Sequence, residues 1–146
     1  MERGGEKIEK LESLSLEKFL KFAEEFSKSL RDGDIVLLKG ELGAGKTTFV
    51  RGVAKGLGID PSMVRSPTFT LMNVYPGEIT LYHADLYRLD DPSQIFYVGL
   101  EEVLEEGDGI LAVEWADMFE DFWDEGIWVE ITMNEDGTRD VLIRNA

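Results

Sequence analysis

A chain of 146 residues, 43% of them hydrophobic, has the size of one domain built around one core. No apolar run approaches the roughly 20 residues that cross a bilayer, and Met-Glu-Arg-Gly-Gly-Glu-Lys-Ile lacks the apolar stretch of a secretory leader, so the expectation is a cytoplasmic single domain over 1–146 with no membrane role. Zero cysteines exclude disulfides and cysteine-ligated zinc, and a formal net charge of -15 disfavours a direct nucleic-acid surface. Residues 101–146 hold 15 Asp and Glu against two Arg, which places -13 of that charge in the last third. This segment is either a solvated acidic face or a docking surface. Either way, any dealing with nucleic acid has to run through another protein.

In chain order, Ser15 is placed to cap a helix running to about Leu30, with Leu16, Phe19, Leu20, Ala23, Phe26 and Leu30 on one face. Asp34-Ile-Val-Leu-Leu-Lys39 reads as a buried strand, and Phe49, Val50, Val53, Ala54 and Leu57 repeat at helical spacing until Gly58. A loop over 59–66 leads to alternating strands at 68–75 and 78–84. Asp91-Pro92 opens a predicted helix through about Glu106, stopped by Gly107-Asp-Gly109. Ile110-Leu-Ala-Val113 is a short buried strand ending at Glu114, and 127–132 and 141–144 flank Asn134-Glu-Asp-Gly137 as a hairpin. The predicted fold is α/β: a mixed, mostly parallel sheet flanked by helices, with a C-terminal β-hairpin.

Between the first strand and the second helix lies Gly40-Glu-Leu-Gly-Ala-Gly-Lys-Thr47, which fits the phosphate-binding loop G-x-x-x-x-G-K-[ST] and marks the fold as that of a P-loop NTPase. Backbone N–H groups from Glu41, Leu42, Gly43, Ala44 and Gly45 form a nest for phosphates, Lys46 reaches the β and γ oxygens, and Thr47 ligates magnesium. Thr48 is in reach of an α-phosphate. The apolar strand before the loop and the helix after it supply the context that the motif requires.

Such a site needs a carboxylate on the magnesium side, at the C-terminal end of a strand beside the P-loop strand. Asp85 and Glu114 both qualify. Asp85 is assigned to magnesium, through water, and Glu114 to positioning or deprotonating the attacking water, with Lys46 the second catalytic group; the two acids could exchange roles, or either could cap a loop or pair with Arg88. In Ser66-Pro-Thr-Phe69 the proline aims the Thr68 hydroxyl, as a nucleotide-sensing loop requires, or else marks a plain turn into a strand. His83 reads as a residue that packs or hydrogen-bonds in the sheet rather than a catalyst. Trp115 stacks on an adenine, on a partner or in the core.

Gly40-Glu-Leu-Gly-Ala-Gly-Lys-Thr-Thr-Phe49, Ser66-Pro-Thr-Phe69 followed by Tyr75, His83-Ala-Asp-Leu-Tyr-Arg88 and Glu114-Trp115, in this order and at these intervals, resemble the TsaE (YjeE) family over about Leu14 to Trp115. The resemblance implies the ATPase component that works with TsaB and TsaD in making threonylcarbamoyladenosine beside the anticodon of tRNA. It also implies that Lys46, Thr47, Asp85 and Glu114 serve ATP and magnesium, with Thr68 and Trp115 near the nucleotide. Where the family pattern continues the Glu-Trp pair with Pro or Gly and then Glu, this chain has Ala116-Asp117, which leaves the turn there open.

Three function classes follow. A partner-dependent ATPase fits a chain with no segment to deliver its own arginine finger, an element worth roughly 10³ to 10⁵ in rate. A small-molecule kinase needs a lid that the chain is too short to build. The third is a nucleotide-switched binding module with negligible turnover, its guanine-type form disfavoured because neither D-x-x-G nor N-K-x-D occurs.

Overall fold

The computed structural model describes residues 8–145 apart from 42, 44, 68–70, 88, 92 and 95–98. Seven strands form one sheet: β1 (Ile8–Leu14), β2 (Ile35–Lys39), β3 (Met72–Tyr75), β4 (Leu81–Asp85), β5 (Ile110–Glu114), β6 (Ile127–Met133) and β7 (Arg139–Asn145), in the order β1-β7-β6-β2-β5-β4-β3. The sheet is mixed as expected. Its four central strands, β6-β2-β5-β4, are parallel; β7 and β3 flank them antiparallel, and β1 pairs antiparallel with β7 at the edge.

The centre is parallel because β2 and β5 are apolar on both faces, and helices or short turns cover both. Val36 and Leu38 face α1 (Leu16–Ser27) and α2 (Lys46–Gly56), packing with Phe19, Ala23, Phe49 and Val53. Ile35 and Leu37 face the other way, toward Leu100 of α3 (Leu100–Glu106), Trp123 and Trp128. Ser15 caps α1 as expected, its hydroxyl accepting the Lys18 N–H at 3.2 Å, a contact worth about 1 kcal/mol. Two glycines one turn apart on α2 let α1 come close. A Cβ on Gly52 would stand 2.5 Å from the Ala23 Cβ, and one on Gly56 would stand 1.7 Å from the Ser27 hydroxyl.

The hairpin of β6 and β7 is present, with Gly137 at φ +87 in its turn. Two expectations are corrected, and one element has no counterpart in the sequence reading. Strand β1 carried no sequence signal, because as an edge strand it exposes most of both faces and exists through its pairing to β7. The helix expected over 91–106 is described as a helix only from Leu100, because Gly99 adopts φ +85, a left-handed turn that an α-helix cannot pass through; Ile95 and Phe96 of that expected stripe lie outside the described residues. Of the strand expected at 68–75, residues 68–70 lie outside the described residues, Leu71 at φ 67 is not extended and β3 covers Met72–Tyr75; the strand expected at 78–84 begins late, at Leu81. No helix among the described residues is long and apolar enough to cross a membrane.

Candidate functional site

The sequence-predicted residues meet at the C-terminal end of the parallel strands, where β2 runs into α2. Gly43 and Gly45 both take positive φ, +82 and +109, which turns the chain sharply enough to aim the start of α2 back over the sheet. No side chain caps the first turn of α2, so its N–H groups are available to an anion. Leu42 and Ala44, the other expected members of the nest, lie outside the described residues, as does Thr68. Glu41 is exposed and Thr48 half-buried in that first turn.

Lys46 is 4% exposed. Its Nζ donates to the carbonyls of Gly40 at 2.5 Å and Glu41 at 3.0 Å and sits 3.8 Å above the ring of Trp115. Burial lowers its pKa, opposed by the carboxylates of Glu114, Asp117 and Asp85. An ammonium shut away from water whose direct partners among the described residues are carbonyls and an aromatic face is poised for a stronger anionic one.

Glu114 ends β5, directly beside β2, with Leu38 as its register partner. The Thr47 hydroxyl donates to its Oε2 at 2.7 Å. Asp85 ends β4 opposite Glu114, one strand further from β2 than expected. Of the two acids, only Glu114 therefore stands on a strand adjoining the P-loop strand. The Asp85 carboxylate is 5% exposed and accepts the Tyr87 N–H at 2.9 Å. Burial raises its pKa above the ordinary 3.8, with Glu114 adding to the rise and the Tyr87 N–H, His83 and Lys46 opposing it. The alternative pairing with Arg88 falls outside the described residues.

Trp115 follows Glu114 in the left-handed region, φ 59, so the chain turns at once into the 3₁₀ segment Ala116–Phe122. This is the turn left open by Ala116-Asp117. It places the indole over Lys46 and against Tyr87, with ring centroids 4.8 Å apart, and puts the Asp117 carboxylate near Lys46, its Oδ1 buried without a hydrogen-bond partner.

His83 lies in β4, wholly buried, and does hydrogen-bond within the sheet. Its partner is the site itself: Nε2 stands 2.5 Å from Glu114 Oε2, and Nδ1 stands 3.2 Å from the Tyr75 hydroxyl. Sequence reasoning missed this contact, because neither residue reveals from its own neighbourhood that β4 and β5 run side by side.

A groove of about 450 Å³ adjoins the loop, lined by Lys39, Gly40, Glu41, Trp115, Thr132 and Met133 among others. A cavity of about 500 Å³ opens at the opposite end of the strands; its lining includes Asp34, Asp108, Asp124 and Glu125 and no basic side chain, so it repels phosphate. Among the described residues no three His, Asp or Glu side chains cluster as a metal cage. One hydroxyl touching one carboxylate suits magnesium, which keeps several waters and takes further oxygens from phosphates.

A buried lysine at the head of a helix after a glycine turn, with a hydroxyl bonded to a strand-end carboxylate, is the layout of a P-loop NTPase. The sequence profile of the family described as "Threonylcarbamoyl adenosine biosynthesis protein TsaE" matches residues 13–141. The chain belongs to the TsaE family. It is 39% identical over 115 residues to the tRNA threonylcarbamoyladenosine biosynthesis protein TsaE of Treponema pallidum, covering 78% of this chain and 84% of that one. The TsaE protein of Nostoc sp. is 44% identical over 120 residues, 80% of this chain and 73% of its own. The crystal structure of Bacillus subtilis YdiB superposes with a TM-score of 0.77 at 31% identity, covering 97% of this chain and 87% of YdiB. The TsaE profile thus extends past Trp115 into the C-terminal hairpin, beyond the span of the four motifs.

Proposed function

We propose that this chain is the magnesium-dependent ATPase of the machinery that makes threonylcarbamoyladenosine in tRNA, acting in the cytoplasm as one domain over 1–146. It resets an assembly with TsaB- and TsaD-like proteins and does not carry out the carbamoyl transfer. The observation that carries the reading is the Thr47–Glu114 hydrogen bond beside the buried Lys46 at the uncapped start of α2.

The polyphosphate of ATP enters the nest of residues 41–45 and draws the Lys46 ammonium from the carbonyls of Gly40 and Glu41. Lys46 and the first-turn N–H groups then neutralise charge where it grows during transfer, a preorganised arrangement that needs no reorientation of water. Thr47, and Asp85 through water, would hold magnesium, which when bound would supply Lewis-acid stabilisation of the phosphate oxygens. Glu114 orients a water and takes its proton as the water oxygen bonds to the γ-phosphorus; the bond from that phosphorus to the ADP oxygen breaks, giving ADP and phosphate. Trp115 packs over Lys46 and limits its exposure to solvent. Thr48 and Thr68 contact the nucleotide at its α-phosphate and γ-phosphate sides. Partners complete the charge stabilisation that this small chain cannot supply alone.

A second assignment of the two acids has an observation in its favour: the hydroxyl expected on magnesium is bonded to Glu114, not Asp85. The two are separated by one comparison. Under the primary assignment Glu114→Gln keeps magnesium-dependent ATP binding and loses hydrolysis by roughly 10² or more, whereas Asp85→Asn weakens the binding itself. The opposite pattern, read by calorimetry and phosphate release with partners present, exchanges the roles. Normal hydrolysis by both variants overturns the site.

A further inference from the structure

The site description leaves one buried titratable group without a duty. His83 is wholly buried, and both of its ring nitrogens are engaged, one of them by the proposed catalytic carboxylate. A count of donors and acceptors determines what it does.

An ionised carboxylate only accepts hydrogen bonds, so the contact between His83 Nε2 and Glu114 Oε2 requires the proton on Nε2. In a neutral ring Nδ1 is then an acceptor, and its partner, the Tyr75 hydroxyl, has to donate. The surroundings of Tyr75 allow this. Its oxygen accepts from the Arg65 N–H at 3.1 Å and from Asn73 Nδ2 at 3.3 Å, which takes up both lone pairs. The hydroxyl is within donating reach of two acceptors, the Arg65 carbonyl at 3.1 Å, which also accepts from Asn73 Nδ2 at 3.2 Å, and His83 Nδ1 at 3.2 Å. The carbonyl keeps the Asn73 bond in either case, whereas a bare Nδ1 has only the Tyr75 proton to accept and would otherwise face a lone pair.

At the far end, Thr47 and His83 both donate to Oε2 of Glu114, and neither bonds to Oε1. Two donors on one oxygen fix the plane of the carboxylate and leave the other oxygen for the reacting water. From this geometry, and resting on the proposed role of Glu114, we infer that His83, held as its Nε2–H tautomer by Tyr75, is a positioning residue that orients Glu114 for hydrolysis. Through Tyr75 the same chain of hydrogen bonds reaches the backbone of Arg65, just ahead of Ser66-Pro67, so the segment that leads to Thr68 is tied to the catalytic carboxylate.

His83 is the chain's single histidine, which makes the test direct. Protein labelled with ¹⁵N-histidine gives one imidazole signal set, and its nitrogen couplings should show Nε2 protonated and Nδ1 bare in the wild type, with no nucleotide present. A ring protonated at Nδ1 overturns the inference. In Tyr75→Phe the tautomer preference should relax, and an unchanged one counts against Tyr75 as its source. Two polar variants supply the kinetic arm. Gln in place of His83 sets its amide near the position of Nε2, and Asn sets it near Nδ1. His83→Asn should lower kcat by roughly 10- to 100-fold, as loss of an orienting partner does, with the KM for ATP unchanged. His83→Gln should recover most of that loss. Equal rates for the two variants overturn the positioning role, whether both match the wild type or both are impaired. Glu114→Gln run alongside keeps the failures apart: if it hydrolyses ATP normally, the reading of Glu114 falls, while an inactive Glu114→Gln beside a fully active His83→Asn removes the positioning inference alone.

Discussion

Lys46 and Asp85 carry a cost of burial in the fold. Each is a buried group whose ionised form is disfavoured by burial. For Lys46 the consequence is affinity. Lys46→Ala should weaken ATP binding at least about tenfold, since a hydrogen bond to a charged group is worth ~1.5–3 kcal/mol, and near wild-type affinity by calorimetry in a folded variant would contradict the phosphate-binding assignment. For Asp85 the consequence is stability. Its pKa is raised above 3.8 in the fold, so the native state holds more protons than the unfolded chain from that value upward, and stability falls as pH rises through the window. The penalty grows through that window and is complete above the folded-state pKa. Asp85→Asn keeps an oxygen for the Tyr87 N–H and carries no charge, so the nucleotide-free variant should melt higher than the wild type at pH 7 and converge with it in acid. A lower melting point at pH 7 would show that the carboxylate is better satisfied than its burial implies.

At the level of elements, α1 and α2 are pressed together by what is missing between them. Helix propensity favours alanine over glycine by about 1 kcal/mol, which taken alone would make Gly52→Ala stabilising. The added Cβ would lie 2.5 Å from the Ala23 Cβ and 2.9 Å from the Leu20 carbonyl, and overpacking of that kind costs roughly 1–3 kcal/mol. Packing wins, and urea denaturation should show a net loss for Gly52→Ala; a gain would mean that α1 can retreat freely. This contact was not legible in the sequence, where Gly52 and Gly56 stood inside a helical stripe with no sign of a partner. Local pattern did reveal α1, β2, β5, the hairpin and the phosphate loop, because each is specified by periodicity or turn chemistry within a few residues. It failed where the determinant was remote or was a single backbone angle. Strand β1 depends on β7, α3 starts at a left-handed Gly99, and the bonds that Glu114 makes to Thr47 and His83 span 67 and 31 residues. The loop could be recognised as a phosphate binder, but the wiring of its carboxylate could not.

For the molecule as a whole, charge sets which partners can approach. With -13 of a formal -15 after residue 100, the lone protein should bind tRNA negligibly at physiological salt, because binding to a polyanion draws its free energy from counterions released at basic contacts. Filter binding of labelled tRNA tests this, and tight retention by the isolated chain would overturn an indirect role. A different consequence lies in the pairing of β1 with β7. The Ser13 N–H donates to Asp140 across 127 residues of chain, so the first strand to be synthesised is secured by the last. At ~5–20 residues per second, β1 waits roughly 6 to 25 s on a ribosome before its partner exists. Throughout that interval the segment lacks the pairing that makes it a strand. Its Glu9, Lys10 and Glu12, exposed on the finished sheet edge, are charges of the kind that discourage edge-to-edge pairing with another chain.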